Sequence, residues 1–162
     1  LAHSIQLFVL ELISVLPKGL EKVQFQIHKL IANDLPKVAF LSFSTNGSAN
    51  HYKVKKVQDA VSLFSSKFEV INHEGEIQFD AAINKIISHK KNKKSKLNGE
   101  ANVFIFPDLD SGNISYKITQ HLAKYQALGP ILIGLNKPVN DLSRGCSVND
   151  IIYTCAISAL QS

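Results

Sequence analysis

From residue 37 onward, short apolar runs rich in β-branched and aromatic residues alternate with longer segments whose apolar residues recur at helical spacing. The short runs are almost continuously hydrophobic, which is typical of parallel strands buried on both faces. Four strands are predicted, at residues 37–43, 68–71, 101–106 and 130–135. The alternation predicts an α/β fold with a mostly parallel sheet and flanking helices.

Apolar stripes with a helical period fill the segments between these strands and predict crossover helices. The stripes comprise Val54, Val57, Val61 and Phe64, then Ala82, Ile83, Ile86 and Ile87, then Ile114, Ile118, Leu122 and Ala123. A last helix is predicted to begin near Ser147, and its broad apolar face indicates deep packing. The first 35 residues predict two helices separated at residues 17–19.

Composition narrows the class of protein. The chain has 162 residues, of which 45% are hydrophobic, enough for one ordinary globular core. Its opening apolar stretch, residues 5–16, contains Glu11 and falls short of the roughly 20 residues that a membrane-spanning helix needs. We therefore expect no membrane association. Because the chain contains no Met, we also expect it to be a piece of a longer protein.

The cysteines and histidines lack the spacing of a disulfide framework or a zinc site. Only Cys146 and Cys155 are present, in one segment, so we expect a reducing, cytoplasmic setting. The six histidines show no zinc-ligand spacing, and neither a P-loop nor a dinucleotide-binding glycine pattern occurs. We expect neither a metal nor a redox cofactor.

The net charge of +5 is carried by 17 lysines and one arginine, and six of the lysines lie within residues 85–96. This run contains no arginine and no interleaved aromatic residue, the groups that read bases or stack on them. A solvated surface loop is therefore the better interpretation, and nucleic-acid binding is not predicted.

In an open parallel sheet, ligands bind beyond the carboxyl ends of the strands, so the loops after the predicted strands are candidate sites. The first such loop is Ser44-Thr45-Asn46-Gly47-Ser48. Hydroxyls and a glycine between a strand and a helix allow backbone N–H groups to point at an anion. The same residues suit a plain Asn-Gly turn with helix-capping hydroxyls, and both interpretations stay open.

The second loop, residues 107–113, contains Asp108 and Asp110. Two carboxylates in one loop could hold magnesium. Aspartates after a strand more commonly shape a turn and cap the next helix, so we favour that interpretation.

The third loop, residues 143–150, contains Arg144, the single arginine of the chain. A guanidinium among so many lysines indicates planar, bidentate contact with phosphate or a developing oxyanion. Ser147 and Asp150 match a capping box, so Asp150 also has a purely structural interpretation. Cys146, near Arg144 and a predicted helix N-terminus, has two influences that favour a thiolate nucleophile, although a small packing residue is the commoner role.

The segments KVAFLSFSTNGSA, ANVFIFPDLDSGN followed by YK, and GPILIGLNKPVNDLSRGCSVNDI, in this order, resemble the corresponding blocks of phosphate acetyltransferases. The resemblance covers residues 37–162, and residues 1–36 are expected to be a helical segment outside it. It implies a fold similar to that of isocitrate dehydrogenase, with residues 37–132 in the second subdomain and residues 133–162 returning to the first. The active site would lie in the cleft between the two subdomains.

The resemblance also implies the chemistry. Ser143, Arg144 and Asp150 fall on catalytic positions: Asp150 would accept the proton of the CoA thiol as the thiolate attacks acetyl phosphate, while the other two stabilise phosphate and the developing charge. We expect further substrate contacts from Ser44, Thr45, Gly47, Ser48, Asn113, Lys117 and Cys146. The expected ligands are CoA, acetyl phosphate and inorganic phosphate, and the expected assembly is a homodimer.

Several alternatives remain at this point. A phosphate butyryltransferase would use the same chemistry on a longer acyl chain, and a non-catalytic acyl-CoA-sensing module or an interaction domain would keep the fold without the reaction. The intact Ser-Arg-Gly block with its following aspartate favours the enzyme. A carboxylate with a pKa of about 4 is a weak base for a thiol, so we expect Asp150 to be partly desolvated or the thiolate to be stabilised electrostatically. An acylated Cys146 would instead give ping-pong kinetics.

Overall fold

The computed structural model describes residues 7–9, 34–132 and 135–162, and of residues 7–9 it describes the backbone only. The strands are β1 (Leu7–Val9), β2 (Lys37–Leu41), β3 (Asn72–Ile77) and β4 (Val103–Ile105). The helices are α1 (Tyr52–Lys67), α2 (Phe79–Ile83), α3 (Lys85–Lys91), α4 (Leu109–His121) and α5 (Val148–Gln161).

The chain divides into two compact units. The described residues of the first are 7–9 and 35–115, and those of the second are 34, 116–132 and 135–162. The division falls within α4. The subdomain boundary that the sequence analysis placed at residue 132 stays a prediction.

The first unit is built on a four-stranded sheet in the order β1, β4, β2, β3, and all three strand pairs are parallel. Val38 of β2 lies opposite His73 on one side and Val103 on the other, so β2 is an inner strand. Helix α1 connects β2 to β3, and α2 with α3 connects β3 to β4. The predicted α/β class with a parallel sheet and flanking helices is confirmed.

The core of this unit lies around β2 and β4, as expected for inner strands that are covered on both faces. Ala39 and Leu41 of β2 pack with Phe104 of β4, and the buried cluster also includes Ile77, Ala81, Ala82, Leu97, Ala101 and Phe106. On α1, Phe64 packs its ring edge against Phe40, with 5.2 Å between the ring centroids. The predicted helical stripe of α1 is therefore confirmed as a core-facing surface.

The strand predicted at residues 68–71 was placed too early. Helix α1 continues to Lys67, and Phe68 ends it by donating its N–H to the Phe64 carbonyl. The strand begins at Asn72 and has the sequence NHEGEI. A hydrophobic pattern cannot locate this strand, because its polar residues are stabilised by hydrogen bonds that form only after folding.

The second stripe, Ala82 to Ile87, forms two short helices instead of one. Asn84 lies between them, and its side chain accepts hydrogen bonds from the N–H groups of Ile86 and Ile87. An asparagine that caps the following helix competes with continuation of the preceding one. The chain therefore turns at Asn84 while the apolar spacing carries on.

Two other expectations are also corrected. Of the strand predicted at residues 130–135, positions 130–132 and 135 are not strand, and residues 133 and 134 lie outside the described residues. The Leu132 N–H donates to the Asn140 side chain at 2.9 Å, where a strand residue would donate to the backbone of a neighbouring strand.

Leu7–Val9, which was predicted to be helical, is a strand paired with β4. Residues 10–33, including the predicted break at 17–19, lie outside the described residues.

Helix α5 begins at Val148 after an N-cap at Ser147, so the predicted helix is confirmed. The expected deep packing is wrong for most of its length. Thr154 and Ile157 are buried, whereas Ile152 is 57% exposed and Leu160 is 55% exposed. No helix in the described part of the chain is long and apolar enough to cross a membrane.

Gly99 occupies a turn that tolerates no side chain. Its φ is +70°, and a Cβ there would lie 2.7 Å from the Asn84 carbonyl oxygen and closer still to other backbone atoms. We predict that Gly99→Ala lowers the free energy of unfolding by at least about 2 kcal/mol, because backbone would have to move. Urea unfolding measures the change. Gly145→Ala is the control, since a Cβ at Gly145 meets nothing within 4 Å; equal losses in both variants would contradict the prediction.

Glu100 bridges two lysines, with 2.7 Å to Lys37 and 2.5 Å to Lys85, and these contacts lower the pKa of Glu100 from 4.5 to about 2. A carboxylate with a lowered pKa in the folded state stabilises the protein above its unfolded pKa and loses that effect as the pH falls. We therefore predict that Glu100→Gln is less stable than the parent at neutral pH, and that the difference disappears as the pH approaches 2. Urea unfolding across a pH series tests this. A difference that is independent of pH would show that the charge plays no part.

Candidate functional site

The loop that follows β2, residues 42–51, lies at the carboxyl end of the sheet, where parallel α/β folds bind ligands. Ser44 and Thr45 are buried, whereas Gly47 and Ser48 are exposed. The structure therefore brings the four predicted contact residues of this loop together, but two of them face the protein interior.

The interior partner of this loop is Glu76, the penultimate residue of β3, which is only 4% exposed. Its Oε1 accepts hydrogen bonds from the Ser44 hydroxyl at 2.8 Å and from the Gly47 N–H at 2.7 Å. Its Oε2 accepts from the Gln58 amide of α1 at 2.8 Å. A buried carboxylate with donors on both oxygens is a stable internal anion.

The backbone amides of this loop are satisfied within the protein. Gly47 donates to the Glu76 carboxylate and Asn46 to the Glu76 carbonyl at 3.1 Å. The N–H of Thr45 donates to the Ser48 hydroxyl, that of Ser48 to the Thr45 carbonyl, and that of Ala49 to the Ser44 hydroxyl. Of these five N–H groups, that of Gly47 donates to an anion, and this anion is the Glu76 side chain of the protein itself.

The charge of Glu76 is stabilised despite its burial. Burial by itself raises the pKa of a carboxyl group, but the hydrogen bonds from Gly47, Gln58 and Ser44 outweigh it and lower the pKa of Glu76 below its usual value. The loop consequently rests on a permanent negative charge at neutral pH.

In the neighbouring loop after β4, Asp108 caps the next helix, which is the interpretation that the sequence analysis favoured. Asp108 accepts a hydrogen bond from the Ser111 N–H at 2.8 Å at the start of α4. Hydrogen bonds from Ser111, with the nearby charges of Lys53 and Lys56, lower the pKa of Asp108. The Lys56 ammonium also donates to the Pro107 carbonyl at 2.9 Å, which ties α1 to this loop. Among the residues that the structure describes, no three His, Cys, Asp or Glu side chains are grouped to hold a metal.

The second unit contains the Ser-Arg-Gly segment as a tight turn. The Cys146 N–H donates to the Ser143 carbonyl at 3.0 Å, and the Gly145 N–H donates to the Ser143 hydroxyl at 3.3 Å. Arg144 lies at the exposed tip of this turn. Cys146 is half-buried and is a free thiol. The turn therefore presents the guanidinium to solvent while Ser143 holds the turn together.

Asp150 lies in the first turn of α5 and completes the predicted capping box. Its Oδ2 accepts from the Ser147 N–H at 2.8 Å and from the Ser147 hydroxyl at 2.9 Å, while the Asp150 N–H donates to that hydroxyl at 3.2 Å. These hydrogen bonds lower the pKa of Asp150. The hydrogen bonds that described residues make to this carboxylate all fall on Oδ2, and none of them falls on Oδ1.

The two remaining predicted contacts lie on α4. Asn113 is half-buried, and Lys117 is exposed with its ammonium 5.1 Å from the centre of the Tyr116 ring. The binding roles of both residues stay predictions.

A family model described as "Phosphate acetyl/butaryl transferase" matches residues 22–159, which is most of the chain. The chain belongs to the phosphate acetyl/butyryl transferase family. The match begins earlier than the residue 37 that the sequence motifs indicated, so part of the segment 1–36 lies inside the family region after all.

Curated relatives in this family carry a specific name. A phosphate acetyltransferase from Staphylococcus aureus (strain Mu50) is 55% identical over 131 residues, which are 78% of this chain and 40% of that protein. One from Staphylococcus epidermidis is 53% identical over 132 residues. The chain thus spans about 40% of the length of the curated relatives that it matches.

Solved structures agree with the fold. A phosphotransacetylase from Streptococcus pyogenes superposes with a TM-score of 0.81 and 41% identity, over 99% of this chain and 47% of that one. A branched-chain phosphotransacylase from Enterococcus faecalis gives a TM-score of 0.67 at 20% identity, over 88% of this chain and 53% of that one. The second similarity shows the fold alone.

For this family member, sequence reasoning missed Glu76 and its partner Gln58. The signal was present in the segment HEGEIQ, but the strand had been placed four residues too early, so Glu76 was not seen to stand near the carboxyl end of a strand. Correct placement of β3 would have set this carboxylate beside the loop after β2, because neighbouring parallel strands end at the same edge.

The effect of the capping box on the pKa of Asp150 can be measured. We predict that Ser147→Ala raises the pKa of Asp150 part of the way toward its usual value of 3.8, because the substitution removes the hydrogen bond from the Ser147 hydroxyl and keeps the one from the Ser147 backbone N–H, which is the larger cause of the lowered pKa. An NMR titration of the Asp150 carboxyl carbon measures the pKa. Ser158→Ala, on the same helix but bonded to the Thr154 carbonyl, is the control and should leave the titration unchanged. An unaltered Asp150 titration in Ser147→Ala would rule out the Ser147 hydroxyl as a cause of the lowered pKa.

Proposed function

We propose that the protein containing this chain is a phosphate acetyltransferase, which interconverts acetyl-CoA and phosphate with acetyl phosphate and CoA. The observation that supports this most is the Ser143–Arg144 turn placed directly before the capped start of α5, in a chain 55% identical to relatives named phosphate acetyltransferase. This chain would contribute these catalytic groups, and the remainder of the protein would complete the site.

Arg144 would bind the phosphate group and stabilise the charge that develops on the carbonyl oxygen. Its guanidinium is exposed at the tip of the turn, and among the described residues it has no carboxylate partner that would have to be displaced. A planar, permanently charged donor set fits phosphate oxygens in a bidentate manner that an ammonium group cannot reproduce. Ser143, whose hydroxyl lies in the same turn, would add one hydrogen bond.

Asp150 would accept the thiol proton in the direction that forms acetyl-CoA. The thiolate sulfur then bonds to the carbonyl carbon of acetyl phosphate, the bond from that carbon to the phosphate oxygen breaks, and phosphate leaves with its electron pair. Because Asp150 has a lowered pKa in this structure, it is a weak base. The hydrogen bonds from Ser147 outweigh the desolvation of Asp150, so the reaction would depend on stabilising the thiolate as it forms, and Arg144 is the nearest cation in the sequence.

The subdomain arrangement, the cellular setting and the assembly are proposed from the same family resemblance. Residues 37–132 would form the second subdomain and residues 133–162 would return to the first. Two free cysteines fit a cytoplasmic protein. The exposed apolar side chains of α5 provide a surface suited to a further part of the protein or to a homodimer partner.

The family description covers both acetyl and butyryl transfer, so membership of the family does not assign the acyl chain. The relatives at 53–55% identity are named for acetyl transfer. We therefore propose acetyl-CoA as the substrate, and a direct comparison of acetyl-CoA with butyryl-CoA at equal concentration decides it.

Phosphate-dependent release of CoA thiol from acetyl-CoA by the full-length protein tests the proposed function. We predict that Arg144→Lys lowers kcat/KM by at least about 100-fold without a change in thermal stability, because the bidentate contact is lost while the charge remains. Lys137→Arg, the reverse exchange at another exposed position of the same unit, is the control and should be fully active.

Two results would count against this proposal. Full activity in Arg144→Lys would remove the guanidinium from the mechanism. An inactive but folded full-length parent would exclude the enzyme and leave the acyl-CoA-sensing module, which a CoA titration would detect.

A further inference from the structure

The Asn140 side chain forms tertiary hydrogen bonds with both ends of its amide. Its Oδ1 accepts from the Leu132 N–H at 2.9 Å, and its Nδ2 donates to the Ser158 hydroxyl at 2.8 Å and to Gln161 Oε1 at 2.7 Å. The Ser158 hydroxyl gives its own proton to the Thr154 carbonyl, so its lone pairs accept from the amide. Because a backbone N–H can only donate, the contact with Leu132 fixes which end of the amide is the oxygen.

These hydrogen bonds belong to a closed network at the last turn of α5. The Gln161 amide also donates to the Leu132 carbonyl at 3.5 Å, so both backbone groups of Leu132 are bonded to the two side chains. Asn140, Ser158 and Gln161 are half-buried, and the partners of Asn140 lie 8 to 21 residues away in the chain. The segment that contains Asn140 is therefore fixed to the C-terminal end of the helix.

The same segment is fixed a second time at the start of α5, where Ser147 and Asp150 form the capping box. From Asn140 to Ser147 the chain returns along a helix that rises about 16 Å between Ser147 and Ser158. Three extended residues, the turn from residue 143 to residue 146 and one further step reach at most about 21 Å. The two lengths are similar, so the segment between the two anchors has little spare length.

Arg144 lies on this segment, in the turn that the Cys146 N–H closes by donating to the Ser143 carbonyl at 3.0 Å. Its side chain is exposed, and no carboxylate in the described part of the chain forms an ion pair with it. The position of the guanidinium relative to Asp150 therefore depends on where the backbone of the turn is held. The capping box holds the end that follows the turn, and Asn140 holds the end that precedes it.

We propose that Asn140 is a positioning residue, which holds the turn so that the Arg144 guanidinium stays in the correct place relative to the Asp150 carboxylate. Asn140 touches none of the reacting atoms and acts through Arg144. The inference rests on the proposed function, because misplacing a catalytic group by about 1 Å can cost about 100-fold in rate. All the residues of this arrangement lie in the second unit.

Steady-state release of CoA by the full-length protein tests the proposal. Asn140→Ala removes three hydrogen bonds that hold the segment, so we expect kcat to fall at least about tenfold. Asn102→Ala is the matched control, because Asn102 also links two backbone groups, accepting from the Lys37 N–H at 2.6 Å and donating to the Leu35 carbonyl at 3.0 Å, but in the first unit. It should lower the free energy of unfolding and change kcat less than about twofold.

A double-mutant cycle distinguishes positioning of Arg144 from a general loss of structure. In the Arg144→Lys background the guanidinium that Asn140 positions is already gone, so Asn140→Ala should lower kcat further by less than about twofold. A purely structural role of Asn140 gives the same loss in both backgrounds. Equal losses would therefore overturn the inference, and so would a folded Asn140→Ala protein with the kcat of the parent.

A second variant and a direct measurement keep the test valid if Asn140→Ala folds poorly. Gln161→Ala removes one of the two acceptors of the Asn140 amide and should lower kcat by a smaller factor. Amide hydrogen exchange of the segment 142–147 should be at least about fivefold faster in either variant and unchanged in Asn102→Ala. Exchange that stays at the rate of the parent in Gln161→Ala and Asn140→Ala would show that the turn does not depend on this network, which contradicts the proposal.

The two proposals fail in different ways. A folded full-length parent that releases no CoA from acetyl-CoA rejects the proposed function, and the positioning role with it. An active parent in which Asn140→Ala changes neither kcat nor the exchange of the segment 142–147 rejects the positioning role alone.

Discussion

A carboxylate that is buried in a protein must be surrounded by donors, and this requirement organises the carboxyl edge of the sheet in the first unit. Glu76 satisfies it by drawing in the loop after β2 on one side and α1 on the other, through Ser44, Gly47 and Gln58. Unpaired burial of such a charge would cost several kcal/mol, so the loop has little freedom to move away. The geometry of the candidate site in this unit follows from that one group.

In the second unit, the Asp150 carboxylate is also held by neighbouring hydrogen-bond donors. Ser147 donates both its N–H and its hydroxyl to the Asp150 carboxylate, and this closes the start of α5. The cap uses Oδ2 and sets the direction of the carboxylate, so it is compatible with the proposed role of Asp150 as a base. The Ser143 carbonyl and hydroxyl hold the preceding turn in the same way, so Arg144 is presented by a short segment that is stabilised at both ends.

The lysine-rich run, residues 85–96, uses part of its positive charge in ion pairs on the protein surface. Lys85 and Lys91 are tied to Glu100 and Asp80 at 2.5 and 2.7 Å, and the loop that follows is anchored to the Glu74 carboxylate. These exposed pairs contribute little individually, because solvent screens them. Their arrangement is that of a stabilised surface segment, and the single arginine lies elsewhere, in the turn before α5.

Periodicity and local chemistry alone determined the α/β class, helices α1 and α5, the capping box and the place of Arg144, because each of these depends on residues close together in the chain. Tertiary structure decided the rest. The strand NHEGEI is polar, and only its neighbours β2 and α1 make it a strand, since Glu76 finds its donors 18 to 32 residues away. For the same reason the sequence left an anion-binding loop and a plain Asn-Gly turn as open alternatives at Ser44 to Ser48, and only the folded chain shows the Glu76 carboxylate bonded to this loop. Hydrogen bonds between distant residues leave no period in a sequence, and they form only when the sheet brings the strand ends together.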